Sequence, residues 1–281
     1  MKVCRDIASF RTAISALREN GETVGLVTTM GALHDGHLAL VAAAKSNQNR
    51  VAATIFVNPT QFGDPLDLKN YPRTEQDDLA KFRESGVDAV LIPEADEIYA
   101  EGDETRVETT KSANIFHGAV RPGHFRGVAT VVSKLFNIAQ PDAAYFGEKD
   151  YQQLAVIKRM TLDLHFPIQI VGVPTVREID GLAMSSRNQR LTPENRAAAP
   201  ILNASLDAAE DLVRAGTEVA EVESVIRRVI ATQPRGQLKG LDIVWVDSFE
   251  PATGQITRPI GIMISAQFGE VLLIDQREII P

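Results

Sequence analysis

The run Thr23-Val-Gly-Leu-Val-Thr28, continued directly by Thr29-Met30-Gly31-Ala32-Leu33-His34-Asp35-Gly36-His37, decides the fold. Its first half has the length and apolar character of a buried strand. Its second half is a glycine-containing turn that opens a helix from about Gly36 to Ser46. Val51 to Val57 follows as a second strand, stopped by Asn58-Pro59. Strand, turn, helix and strand in this order predict a βαβ unit.

Outward from this unit the theme repeats. Upstream, Ile7, Phe10, Ile14 and Leu17 fall at helical spacing. Downstream, Thr74 is placed to cap a helix with Glu75, Asp77 and Asp78 in its first turn. That helix runs to Ser85, and Asp88 to Ile92 is a third strand. Val128, Val131, Val132, Leu135 and Phe136 form another helical stripe. Asp142 to Phe146 is a strand, Tyr151 to Leu162 a helix, and Pro167 to Val173 a further strand. Short strands alternating with longer helices predict an α/β fold with a mostly parallel sheet, covered on both faces. After about Pro174 the pattern changes. A helical stretch from Thr192 to Gly216, a helix from Glu218 to Thr232, a loop over 234–240 and strands at 241–249, 260–265 and 271–275 predict a smaller α+β domain. The division is drawn at 1–176 and 177–281.

Composition narrows the function. The chain has 281 residues, 44% hydrophobic and 23% charged, which excludes wholesale disorder. A net charge of −8 argues against a protein that coats nucleic acid or anionic membrane. One cysteine, Cys4, allows no intrachain disulfide and no cysteine-based zinc site, and fits a cytoplasmic protein. Apolar runs are strand-sized, far below the roughly 20 residues that span a bilayer. No P-loop, no G-x-G-x-x-G and no G-x-S-x-G occurs. His117, His124 and His165 fit no zinc spacing, and no H-E-x-x-H is present.

In an open parallel sheet, ligands bind beyond the carboxyl ends of the strands. The residues just past each strand are therefore informative. The first strand leads into Met30 to His37, the second into Asn58-Pro59-Thr60-Gln61-Phe62-Gly63. Gly147-Glu148-Lys149-Asp150 and Gln153 come after the strand at 142–146. Thr175-Val176-Arg177 and Met184-Ser185-Ser186-Arg187-Asn188 come after the last. His34 and His37 sit three apart at a helix start, where unpaired N–H groups and a partial positive charge suit phosphate. Gly31 and Gly36 would permit the tight turn. Taken alone, H-x-x-H is more simply a capping histidine beside a surface one. Lys149 by itself is more simply part of a solvated turn, and the serine pair a loop. Gln61 and Gln153 can hold a small polyol acid, since amides donate and accept. Convergence of the four segments on one sheet edge is what favours a site.

These blocks carry a resemblance. His34-Asp-Gly-His37 resembles the HxGH signature of the nucleotidylyltransferase superfamily. With Phe56-Val-Asn-Pro-Thr-Gln-Phe-Gly63, Tyr71-Pro-Arg-Thr74, Arg121-Pro-Gly-His-Phe125, Phe146-Gly-Glu-Lys-Asp-Tyr-Gln-Gln153 and Gly181-Leu-Ala-Met-Ser-Ser-Arg-Asn188, the stretch from about 22 to 191 is similar to the pantoate–β-alanine ligase family. The segment Gly63 to Asn70 departs from the family's usual wording. The C-terminal domain resembles the family mainly in length and composition.

The resemblance implies a Rossmann-like doubly wound sheet with a smaller C-terminal α+β domain, and because a released acyl adenylate would hydrolyse, that domain is expected to act as a lid that closes over ATP. It implies ATP-dependent condensation of (R)-pantoate with β-alanine through a pantoyl adenylate, with release of AMP and pyrophosphate. His34, His37, Lys149, Ser185, Ser186 and Arg187 would surround the phosphates, His37 as proton donor; His34, Lys149 and Arg187 would share in catalysis. Met30, Gly147, Asp150, Val176 and Met184 would complete the nucleotide site. Gln61, Gln153, Asn58 and the Met30 main chain would hold pantoate and β-alanine. Mg²⁺ would arrive on the ATP phosphates with no protein ligand, and a homodimer is expected. Two rivals remain open. A true nucleotidylyltransferase would share the histidines but need basic residues for a phosphorylated acceptor. A non-catalytic nucleotide-binding protein would bind ATP without pantoate-dependent exchange.

Overall fold

The computed structural model describes residues 1–281. Its first sheet contains β1 (Lys2–Cys4), β2 (Val24–Thr29), β3 (Arg50–Ile55), β4 (Ala89–Leu91), β5 (Ala143–Gly147) and β6 (Gln169–Val173). The order is β1-β4-β3-β2-β5-β6, and every neighbouring pair is parallel. Consecutive residues explain why the strands read as continuous apolar runs. Leu26, Ala52 and Ala144 face one core, with Phe10, Ile14, Val128, Val132, Leu135 and Ile157 from the helices Ile7–Leu17, His124–Ala139 and Tyr151–Asp163. Their successors Val27, Ala53 and Tyr145 face the other, with Leu40, Val41, Leu79 and Phe82 from the helices Asp35–Asn47 and Glu75–Glu84. Side chains alternate across a strand, so both faces are covered.

The remaining strands, β7 (Gln237–Trp245), β8 (Ile260–Phe268) and β9 (Val271–Ile279), form an antiparallel sheet in that order. Ile262, Ile264 and Phe268 pack with Leu202, Leu206, Val213, Val222, Ile226 and Ile230 from the helices Ile201–Arg214 and Val219–Ala231. No helix is long and apolar enough to cross a membrane.

The chain divides into two compact units. One comprises Met1–Gly147 and Gln152–Pro174; the other comprises Glu148–Tyr151 and Thr175–Pro281. A four-residue piece inside the α/β stretch thus belongs with the antiparallel sheet, a detail that the pattern of strands and helices does not announce.

Local expectations are corrected in four places. The expected loop over 234–240 enters β7 at Gln237. The expected single helical stretch from 192 is split into Pro193–Ala198 and Ile201–Arg214, with Pro200 at the junction, where it has no N–H to continue the helix. Thr74 stands at the N-cap position but makes no capping bond; its hydroxyl donates to Asp78 instead. Gly36 is not a turn residue, because it lies inside the helix Asp35–Asn47. The left-handed positions are Gly31, φ 84°, and Ala32, φ 52°.

Candidate active site

The winding of the first sheet reverses at β2. Successive strands lead outward through β3 to β4 on one side, then through β5 to β6 on the other. The carboxyl ends of β2 and β5 therefore flank a topological switch point, where open α/β sheets bind ligands. Met30 to His37 leaves β2 there, Asn58 to Gln61 follows the adjacent β3, and Gly147 ends β5.

Three side chains fix the turn after β2. Thr29 bonds its hydroxyl to the Thr54 carbonyl at 2.8 Å and accepts from the Gly31 N–H at 3.2 Å. The Asp78 carboxylate, 1% exposed, accepts from the N–H groups of Ala32 at 2.9 Å and Leu33 at 2.8 Å. The Lys81 ammonium donates to the Leu33 carbonyl at 2.6 Å. A Cβ on Gly31 would stand 3.0 Å from the Asp78 carboxylate, so glycine serves both the positive φ and the close approach here. Asp78 and Lys81 are absent from the sequence-based site. Their one signal is that Asp78 shares the buried helix face with Leu79 and Phe82.

The turn delivers two histidines as a reciprocal cap. His34 Nδ1 accepts from the Gly36 N–H at 3.1 Å, and His37 Nδ1 accepts from the His34 N–H at 3.3 Å. Backbone N–H groups only donate, so each neutral imidazole carries its proton on Nε2. The ring centroids are 4.1 Å apart. This corrects the expectation of unpaired main-chain donors at the helix start. The Gly36 N–H meets a ring nitrogen, and the His37 N–H meets the His34 carbonyl at 2.8 Å. Neither histidine is a bystander on the surface. The pair presents Nε2–H donors in place of backbone ones.

Beyond β3, Asn58 caps the 3-10 turn Pro59–Gln61 and donates to Gln61 Oε1 at 2.9 Å. Gln61 Nε2 lies 3.3 Å from Met30 Sδ, which joins this segment to the one after β2. His124 Nδ1 donates to the Gln61 carbonyl at 2.8 Å. Tyr99, unforeseen from sequence, donates to Asn58 at 2.8 Å; burial pushes its phenol pKa up. Gln153 stands half-buried in the first turns of the helix Tyr151–Asp163.

The second unit gathers the other candidates. Lys149 and Asp150 are neighbours in the turn Glu148–Asp150, with Nζ and Oδ2 3.5 Å apart. Val176 and Met184 pair across a hairpin, the Met184 N–H donating to the Val176 carbonyl at 2.9 Å. Ser185 caps the 3-10 turn Ser186–Arg190 by accepting from the Arg187 N–H at 3.3 Å. Both segments are moored on β9. The Tyr151 hydroxyl donates to Glu278 at 3.0 Å, and Arg177 grips Asp275 bidentately at 2.7 and 2.9 Å. Burial first, then the Glu278 charge, raises the Tyr151 pKa well above the usual phenol value, so the hydroxyl stays a donor.

Within each unit, then, the candidate residues are positioned hydrogen-bonding groups. That suits chemistry in which charge gathers on phosphate or carboxylate oxygens.

Comparison with known proteins is consistent along the whole chain. The sequence model of the family described as pantoate-beta-alanine ligase matches residues 2–278. The pantothenate synthetase of Bartonella tribocorum is 46% identical over 277 residues, covering 98% of this chain and 97% of that one. That of Moorella thermoacetica is 46% identical over 276 residues, covering 98% and 97%. The crystal structure of pantothenate synthetase from Thermus thermophilus superposes with a TM-score of 0.94 at 44% identity, covering 100% of both chains. A pantoate-beta-alanine ligase from Francisella tularensis, described as complexed with beta-gamma ATP and beta-alanine, gives 0.80 at 33% identity over 99% of this chain and 97% of that one. Sequence model, relatives and solved structures agree over essentially every residue, and the chain belongs to the pantoate–β-alanine ligase family of enzymes.

Proposed function

We propose that this protein condenses (R)-pantoate with β-alanine in two steps. A pantoate carboxylate oxygen attacks the α-phosphorus of ATP, and the bond to pyrophosphate breaks as pantoyl adenylate forms. The neutral amine of β-alanine then attacks the acyl carbon, the amine gives up a proton, and AMP leaves as the amide forms. The observation that carries this reading is the reciprocal histidine cap, which turns two Nε2–H groups into fixed donors at the end of β2. In-line displacement at phosphorus needs such donors and little covalent help. The Francisella relative's complex with a nucleotide and β-alanine supports the choice of substrates.

Within this reading, His34 and His37 hold phosphate oxygens, and His37 Nε2–H, expected as a proton donor, donates a hydrogen bond to the leaving group as its charge develops. Lys149 contributes a point charge, Ser185 and Ser186 hydroxyl donors, and Arg187 a planar fork for phosphate. Gly147, Asp150, Val176 and Met184 line the nucleoside. Gln61, Gln153 and the Met30 main chain hold the hydroxy acid, while Asn58, expected beside them, is buried and acts through its bond to Gln61. No group of three or more His, Cys, Asp and Glu is disposed to hold a metal ion. Mg²⁺ would arrive on the ATP phosphates, whose oxygens can supply its ligands and whose charge it neutralises. We place the enzyme in the cytoplasm, in keeping with a lone, buried thiol at Cys4, and as a homodimer, which sedimentation checks.

Exchange of labelled pyrophosphate into ATP, measured without β-alanine, isolates the first step. Exchange should require pantoate, and His37→Ala and Lys149→Ala should each lower it by about 10²–10³, the usual cost of one preorganised donor. A wild-type protein that does not exchange, or that exchanges without pantoate, refutes the proposed reaction. Unaltered exchange in the variants refutes their roles.

A further inference from the structure

A carboxamide presents an acceptor and a donor of nearly equal size, so a paired Asn and Gln gain meaning only when something fixes their polarity. Here the main chain does so. Asn58 is 1% exposed. One end of its amide lies 3.3 Å from the Thr60 N–H, and the other lies 3.3 Å from the Gly127 carbonyl. The first partner can only donate and the second can only accept, which identifies Oδ1 and Nδ2 without reference to any side chain. Oδ1 also receives the Thr60 hydroxyl at 2.9 Å and the Tyr99 hydroxyl at 2.8 Å. Nδ2 spends its second proton on Gln61, 2.9 Å away, where it requires Oε1. Gln61 keeps Nε2, beside Met30 Sδ, as the end that meets a ligand.

We propose that Tyr99 is a positioning residue for the substrate acid: with Thr60 it holds Asn58, Asn58 sets the polarity of Gln61, and Gln61 acts toward its ligand only as a donor. The proposal rests on the reading that Gln61 faces pantoate. It sharpens that reading, because the ligand atom at Gln61 must then be an acceptor, a hydroxyl or carboxylate oxygen. A ligand offering an N–H there would leave two donors opposed and unpaired.

Tyr99 is itself well held. Its ring lies 6.3 Å from that of Phe56, and Lys134 Nζ stands 5.0 Å from its centroid. Lys134 is in turn tied to Asp103 at 2.5 Å and to the Ile98 carbonyl at 2.9 Å. The charged or titratable groups around the relay are Tyr99, Lys134, Asp103 and Arg106 on one side. His124, which bonds the Gln61 carbonyl, and Arg121 beside it stand on the other.

The test is pantoate-dependent pyrophosphate exchange by the full chain from pH 5.5 to 8.5, with the wild type as reference at each pH. Tyr99→Phe should raise the pantoate KM by about 3–10-fold, with the ATP KM and kcat within about twofold of wild type. Asn58→Asp keeps the acceptor toward Thr60 and Tyr99 but lacks the donor. Gln61 should then turn Nε2 inward and show Oε1 to the ligand. At pH 8 the pantoate KM should rise by about 10²-fold, and the gap should narrow to about tenfold at pH 5.5, where a protonated carboxyl restores one of the amide's two donors. A merely structural role would move both KM values together and at every pH. Should Asn58→Asp fail to melt cooperatively, Thr60→Val takes its place, with the same selective rise expected as for Tyr99→Phe. A pantoate KM unaltered in Tyr99→Phe, or an Asn58→Asp penalty independent of pH, overturns this inference alone. A wild type without pantoate-dependent exchange overturns the proposed function, and the relay with it.

Discussion

Asp78 does for the turn after β2 what no residue within that turn can do. Two successive N–H groups, at Ala32 and Leu33, point the same way and are satisfied by one buried carboxylate. Replacing it with the isosteric Asp78→Asn puts an NH₂ where a second acceptor stood, so one main-chain N–H faces a donor. We expect a stability loss of about 1–3 kcal/mol, the cost of one buried unsatisfied donor. Pyrophosphate exchange should fall at least tenfold, because the His34–His37 cap begins at the end of that turn. A melting temperature and exchange rate equal to wild type would remove Asp78 from this role. The histidines were legible in the sequence because their motif is contiguous and stands beside Gly31. Asp78 was not, because an acidic residue in a helix's first turn is ordinarily explained by the helix dipole. Only the folded chain turns it toward the main chain of another element.

Between elements, the helix His124–Ala139 closely approaches the turn Pro59–Gln61. A Cβ at Gly127 would stand 2.5 Å from the Thr60 carbonyl oxygen and 2.8 Å from the Gln61 Cα. Alanine in a helix interior gains up to about 1 kcal/mol over glycine, yet both neighbours here are backbone and cannot swing aside. Overpacking costs about 1–3 kcal/mol and should win. Gly127→Ala should therefore melt at a lower temperature than wild type, and its pantoate KM should rise as the turn bearing Asn58 and Gln61 is pushed away. A stabilised variant with unaltered KM would show that the turn yields to the added methyl group without cost. Strand and helix identity was readable from periodicity because burial on both sheet faces forces it. Packing distances of this kind were not, since Gly127 reads only as a weak helix residue. The short β1 was also missed: three residues give no period to detect.

At the scale of the molecule, the sequence pattern separated an α/β part from an α+β part, but the membership of Glu148–Tyr151 rests on contacts with β9 far along the chain. Stability should likewise respond to pH through acids of two opposite kinds. Asp103 beside Lys134, Asp180 beside Arg196 and Glu210 beside Arg214 and Arg277 are held below their ordinary pKa by hydrogen-bonded cations. The unfolded chain binds more protons there, so their contribution is present above the ordinary carboxylate pKa and is lost as pH falls through the depressed values. Asp242 on β7 behaves in reverse. Burial raises its pKa, with Arg227 opposing and Glu223 adding to the shift. Its folded form binds more protons than the unfolded one, so stability falls as pH rises from the ordinary aspartate pKa through the raised value. Asp242→Asn, neutral at every pH, should therefore unfold at higher denaturant than wild type at pH 7.5. The difference should vanish at acid pH, where the carboxyl is protonated in both states. The chain's single tryptophan makes this measurable, because Trp245 lies on the same strand and its fluorescence reports the C-terminal unit. Equal midpoints at pH 7.5, or a gap that persists in acid, would mean that the Asp242 charge is stabilised by Arg227 as well as it is by water.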